Sequence, residues 1–335
     1  MISPIIFIHR TNSDYLKYTI QLAKISNPEK EIFFLGDTEN AYLSKFGAKH
    51  FLFSDYDNGE KIENFHKVFK IVAGSQHGRE KWLKFVFQRW YHIYNFIEAH
   101  EIESFWTFDS DTLILTDLSL WENRLSKYDC TEQCEGMCMN GFVSNKKVVY
   151  GYVKKMNELF VRNNYIKKQE ADFVLNPTYA YTEMRAYETY KQEENLKTIH
   201  IGSVQEESIF DDCLCYADEM ETYNFLLYGN KLKTIYWRMD GIFFFKHEQS
   251  NKFIRINTLN MSWVPTYLYS RIIKIAAINY SYGNQAKIRD NCLELNILNI
   301  KPPLSHHLWV YWNIIKSKLS RFKHTILEKS TTTYA

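Results

Sequence analysis

Apolar positions in the first third of the chain fall into short unbroken runs, separated by stretches of helical spacing. "PIIFIH" (4–9), "EIFFLGD" (31–37) and "HFLFSDY" (50–56) are runs of buried-strand length, and each closes on polar or glycine residues. Between the first two, "SDYLKYTIQLAKIS" repeats its apolar residues every three or four positions behind Ser13. That pattern predicts an amphipathic helix capped by the serine. "EKWLKFVFQRWYHIYNFIEAHEI" (80–102) predicts a long amphipathic helix, and "SFWTFDSDTLIL" (104–115) a strand directly after it. Strand and helix in alternation predict an α/β fold: a Rossmann-like, mostly parallel sheet with helices on both faces. Ligands of such sheets sit beyond the carboxyl ends of the strands. His9-Arg10, Gly36-Asp37 and Asp109-Ser110-Asp111 all fall at such ends.

The second half has a different texture. "KLKTIYWRMDGIFFFKHEQSNKFIRIN" (231–257) reads as a small antiparallel meander with Asp240-Gly241 as a hairpin turn. After Pro265 the pattern turns helical, with interruptions at "SYGNQ" and "KPP". "HHLWVYWNIIKSKLSRFKHTILEK" sets apolar residues at 308, 311, 312, 315, 319, 322 and 326, with Lys316, Lys318, Arg321 and Lys323 beside or behind that stripe. The chain therefore divides into a main domain over 1–264 and a helical extension over 265–335. The basic amphipathic tail either lies on an anionic inner leaflet or packs its stripe on the main domain.

Composition narrows the function classes. With 335 residues, 45% hydrophobic and 24% charged, the chain is globular, not disordered or fibrous. A net charge of +2 supplies no overall basic excess for nucleic acid. "MISPIIFIHR" lacks the basic start and long apolar stretch of a signal peptide, and no window holds the roughly 18 apolar residues of a membrane span. A cytoplasmic location is expected. Cys130, Cys134 and Cys138 recur every four residues and Cys213 and Cys215 follow, but zinc sites usually repeat paired cysteines, often with histidine. That pattern is absent, and reduced structural thiols are expected.

The chemistry turns on Asp109 and Asp111. Two like charges so close repel, and a fold keeps them on one edge only if something positive sits between them. Three readings compete. The aspartates cap a turn; or they belong to a phosphohydrolase of the haloacid dehalogenase type; or they hold a divalent cation against a diphosphate. The second expects a threonine four residues after the first aspartate, whereas Thr112 comes three after Asp109. The third suits Mg2+ and Mn2+, which are normally held by one or two carboxylates plus substrate phosphates. That cation neutralises a departing nucleoside diphosphate, the chemistry of sugar transfer from a nucleotide sugar.

Several segments in order resemble a known family. "IIFIHRTNSDYLKYTIQLAKISNPEKEIFFLGD", "FQRWYHIYNFIEAHEIESFWTFDSDTLIL", "CMNGFVSNKKVVYGYV" and "FIRINTLNMSW" together resemble bacterial glycosyltransferases of the GT-A fold that build capsular or surface polysaccharides, over roughly residues 4 to 264. The resemblance implies a nucleoside-diphosphate sugar donor, a glycan or lipid-linked acceptor, and Mn2+ or Mg2+. It implies that His9, Arg10, Thr11 and Asp37 line the nucleotide pocket with Ser110, that Asp111 is the direct metal ligand, and that Asp109 meets metal or ribose. Arg89 would reach a phosphate, or else pair with a carboxylate such as Glu98 or Glu101. Asn140 and Gly141 fall in the acceptor-side segment. Two positions depart from the family pattern. Thr182-Glu183-Met184 stands where Thr-Asp-Met is common, and Asn260 where a metal-binding histidine is common. Glu183 is then the candidate base and Asn260 a third metal ligand. Asp211 and Asp212 are reserve bases, whose proximity raises one pKa, or else a solvated turn. His200 and His247 read as packed histidines, His247 alternatively as a neighbour of the metal. A non-catalytic nucleotide-sugar-binding protein is the rival from another class.

Overall fold

The computed structural model describes residues 2–72, 80–177, 180–225, 230–281 and 296–298. In chain order the strands are β1 (Ile5–Ile8), β2 (Ile32–Gly36), β3 (Lys49–Leu52), β4 (Phe105–Thr107), β5 (Thr112–Ile114), β6 (Cys130–Gln133), β7 (Cys138–Val143) and β8 (Thr198–His200). They continue with β9 (Ser208–Phe210), β10 (Thr222–Phe225), β11 (Asn230–Lys233), β12 (Tyr236–Trp237), β13 (Phe243–Lys246), β14 (Phe253–Asn260) and β15 (Asn296–Ile297). The α-helices are α1 (Leu16–Ser26), α2 (Glu60–Val68), α3 (Glu80–Ala99), α4 (Ser119–Leu125), α5 (Lys146–Val161), α6 (Asn163–Leu175), α7 (Glu183–Glu193) and α8 (Thr266–Ser281).

A first sheet of seven strands has the order β3-β2-β1-β4-β7-β6-β8. β3, β2, β1 and β4 are parallel neighbours and β8 is parallel to β6, while β7 runs against both β4 and β6. The sheet is mixed but mostly parallel. Alternation along each strand sends side chains to opposite faces. Ile6, Ile8, Phe33 and Leu35 join the core under α3, α5 and α7, whereas Ile5, Phe7, Ile32 and Phe34 join the core under α1 and α4. Helices thus cover both faces, as the unbroken apolar runs require. α3 buries Leu83, Phe87, Trp90, Tyr91, Phe96 and Ile97 along one stripe.

A second sheet has the order β15-β12-β13-β14-β5, with β9 also on β14. Its pairs are antiparallel except β9 with β14. Leu268, Ile272 and Ala276 of α8 close over it in one core with Phe245, Ile256 and Leu259.

Several expectations change in detail. α1 begins at Leu16, and Ser13 does not cap it; the Ser13 hydroxyl instead lies 3.2 Å from His9 Nε2. The strand expected over 50–56 ends at Leu52 and passes into a 3-10 turn over Phe53–Tyr56. The strand expected over 104–115 is two strands in two sheets, with the turn between them closed by Thr112 N donating to Asp109 O at 2.9 Å. Asp240-Gly241 does turn β12 into β13, with Gly241 at φ 78°. β11 pairs with β10 as a separate ribbon. Packing is continuous across residue 265, because α8 and β15 complete the second core and sheet. The basic amphipathic segment of the tail lies outside the described residues. Among those that are described, no helix is long and apolar enough to cross a membrane.

Candidate functional site

Between β4 and β5 the chain leaves one sheet for the other, and Asp109, Ser110 and Asp111 occupy that crossing. The positive group required there comes from α3. Arg89 Nη1 donates to Asp109 Oδ1 at 2.6 Å and Nη2 donates to Glu183 Oε1 at 3.0 Å. Glu98 and Glu101 are not its partners; Glu98 pairs instead with Lys146 at 3.5 Å. Glu183 is the first residue of α7, where the helix dipole favours a negative charge. Burial nevertheless pushes its carboxyl up to about 7, against the opposing pull of Arg89 and with a further push from Asp109.

Asp111 faces the second sheet. Its Oδ2 accepts from Ser262 Oγ at 2.9 Å, and its main-chain carbonyl accepts from Met261 N at 3.1 Å. Its Oδ1 is buried and receives no donor. Burial first, and Asp109 second, push the Asp111 carboxyl up to about 6. Trp263 follows Ser262 in the left-handed region at φ 67° and is 72% exposed. A bulky residue in that conformation is strained.

The end of β1 supplies the facing wall. His9 Nδ1 lies 2.8 Å from Ser110 Oγ, and burial lowers the imidazole to about 4. His9 is therefore neutral near pH 7 and acts by hydrogen bonding, not by charge. Thr11 is left-handed at φ 66°; its N–H donates to Asp37 Oδ2 at 2.5 Å and its carbonyl accepts from Asn40 Nδ2 at 3.0 Å. Asp37 thus holds the His9-Arg10-Thr11 loop from behind, outside the cavity lining.

These groups surround one cavity of about 690 Å³ at the carboxyl edge of β1 and β4. His9, Arg10, Thr11, Arg89, Asp109, Ser110, Asp111 and Glu183 all line it. Tyr15, Lys81, Trp82, Phe85, Cys134 and Cys138 line it too and were not foreseen. For Tyr15 the signal was weak, since it reads as one more apolar position of α1, although its ring stacks on Tyr269 at 5.2 Å. The cysteines read as a helical repeat but lie on a hairpin, Cys138 opening β7 and Cys134 opening the turn before it.

Other candidates lie elsewhere. Asn140 and Gly141 are inside β7, opposite β4 and β6 and away from the lining. Gly141, at φ 95°, sits where an added Cβ would come 2.2 Å from Thr131 Oγ1. Asn260 pairs with Thr112 across β14 and β5, next to Asp111 but outside the lining, and its Oδ1 accepts from Ser262 N at 3.0 Å. Asp211 and Asp212 are buried, not solvated: Asp211 pairs with the buried Lys233 at 2.6 Å, and Asp212 Oδ2 with His200 at 2.8 Å. His247 pairs with Glu219 at 3.2 Å, in neither case at the cavity.

Fold and site together define an α/β protein with a carboxylate-bearing cavity at the carboxyl edge of its parallel strands. Comparison with protein families finds none that matches the chain, and comparison with curated proteins finds no match either.

Proposed function

We propose that the protein is a glycosyltransferase of GT-A type, moving a sugar from a nucleoside-diphosphate donor to a glycan or lipid-linked acceptor of surface polysaccharide. The observation that carries this reading is the convergence of Asp109, Asp111, Arg89 and Glu183 with the His9-Arg10-Thr11 loop around a single cavity. Its volume of about 690 Å³ suits a nucleotide-sized ligand. Arg10, Lys81 and Arg89 offer positive charge for a diphosphate, and Arg89 Nε is a donor that the protein itself leaves unpaired.

The two aspartates fit a divalent cation, because Asp111 Oδ1 is a buried carboxylate oxygen with no donor. Among the described residues no three histidine, cysteine, aspartate or glutamate side chains form a metal-binding group. Asp109 and Asp111 would therefore hold Mn2+ or Mg2+ together with donor phosphates and water. When bound, such an ion supplies a Lewis acid for the leaving diphosphate. Ser262 orients Asp111 through its hydroxyl. Glu183, its carboxyl raised to about 7, is matched to take the proton of an acceptor hydroxyl as that oxygen attacks the anomeric carbon and the sugar–phosphate bond breaks.

A non-catalytic nucleotide-sugar-binding role is favoured by one observation, the capture of Glu183 by Arg89. A thermal-shift screen of nucleoside diphosphates with and without Mn2+, on wild type and Asp111→Ala, tests the proposal. A ligand at a hundred times its dissociation constant stabilises the fold by about 2.7 kcal/mol. Metal-dependent stabilisation by one nucleotide, lost in Asp111→Ala, is the expected result. No response to any nucleotide would reject the proposal, and binding without sugar turnover would favour the non-catalytic role.

A further inference from the structure

We infer that Asp212, with His200, positions one wall of this cavity by holding the β6–β7 turn that carries Cys134 into it; the inference rests on reading the cavity as a donor site. The turn is strained. Cys134 and Glu135 stand at φ 53° and 56°, and Gly136 at 81°. Residues with a Cβ keep such a left-handed run only where their surroundings over-determine it.

Asp212 supplies the central restraint. Its Oδ2 accepts from Glu135 N at 2.9 Å and meets His200 Nε2 at 2.8 Å, so turn, carboxylate and imidazole form one junction. Lys191 Nζ donates to Gly136 O at 2.8 Å, and Gln133 Nε2 donates to Asp211 O at 2.9 Å, which ties the turn from either side. The junction leaves no room for a larger neighbour. A Cβ on Gly202 would lie 2.0 Å from Asp212 Oδ1 and 2.5 Å from His200 Nε2. A single residue separates this junction from the cavity, since Asp212 grips the N–H of Glu135 while Cys134 lines the cavity beside Cys138. Asp212 itself is 5% exposed and outside the lining. It is a positioning residue, acting through the turn.

Alkylation of Cys134 by iodoacetamide, located by peptide mass spectrometry, reads the turn directly and needs no substrate. Asp212→Ala should raise the Cys134 rate about tenfold or more, the scale set by release of a strained backbone. Gly202→Ala should do the same with every charge retained. Asp212→Asn, whose amide oxygen still accepts from Glu135, should stay within about threefold of wild type. Buried Cys130, at the start of β6 and outside the cavity lining, serves as the internal control. If it labels too, the variant has unfolded, and Gly202→Ala decides by the same criterion. Unchanged Cys134 labelling in a folded variant overturns the inference. A nucleotide that stabilises wild type should lose affinity about tenfold in Asp212→Ala and little in Asp212→Asn. Unchanged affinity beside fast labelling would overturn the link to the cavity. A wild type that binds no nucleotide would remove the donor reading, while faster labelling would still uphold the hold of Asp212 on the turn.

Discussion

One guanidinium reconciles the charges around the cavity. Arg89 reaches Asp109 and Glu183 together, and its removal would strand both carboxylates. Arg89→Met is expected to cost about 3 kcal/mol at pH 8, measured by chemical denaturation. The loss should shrink at pH 5, because Glu183, raised from an ordinary 4.5 to about 7, is protonated there and needs no partner. The same shift sets the sign for wild type. A carboxyl whose folded pKa lies above its unfolded one stabilises the fold fully below about 4.5, and that contribution is lost as pH rises through 7. Glu183→Gln should remove that part of the pH dependence. If Glu183 is the base, the transfer rate should rise with pH up to about 7 and then level off. Glu183→Gln should erase that limb and lower the rate at least 100-fold, on the order of what general-base removal costs. At this scale the sequence was legible only in part. Asp109 and Asp111 announce themselves by spacing, but that Arg89 divides itself between Asp109, 20 residues on, and Glu183, 94 residues on, rests on α3 and α7 meeting in space. No local pattern encodes that meeting.

Elements were read more securely than residues, because periodicity reports burial directly. β1, β2, α3 and β4 lie close to where their apolar spacing predicted them. The errors share a cause. Ser13 has the chemistry of a helix cap, but His9 competes for its hydroxyl. "SFWTFDSDTLIL" looks like one strand because both halves are buried, yet they are buried in different sheets. Gly141 illustrates how an element-level role can by itself account for a residue type. Its glycine identity is explained by packing: a side chain there would meet Thr131 and also Ile201 Cδ1 at 2.6 Å, in a backbone conformation that disfavours one. Gly141→Ala should therefore destabilise the fold by about 2 kcal/mol or more, read by denaturation. Its nucleotide affinity should be unchanged in the fraction that folds.

For the molecule as a whole, packing runs on past residue 264. Leu268, Tyr269, Ile272 and Ile273 belong to the same core as β13 and β14. A chain ending at residue 264 should lose cooperative unfolding and aggregate, since it would expose the apolar face that α8 covers. Retention of a sharp thermal transition would show that the second sheet stands without that helix. The α/β class was legible here because strand and helix alternate in the first half. Of the second sheet only the β12-β13-β14 meander was legible, because the sheet also recruits β5 from the first half of the chain, β9 from before the meander and β15 from beyond α8.

That recruitment has a mechanical consequence. Asp109 follows a strand of the first sheet, and Asp111 precedes a strand of the second, whose neighbour β14 ends at Asn260. The two carboxylates are thus the facing jaws of a joint, and their separation gauges how one sheet sits against the other. A ligand gripping both would act as a rivet, stiffening a seam that the turn between β4 and β5, α1 and β9 already bridge.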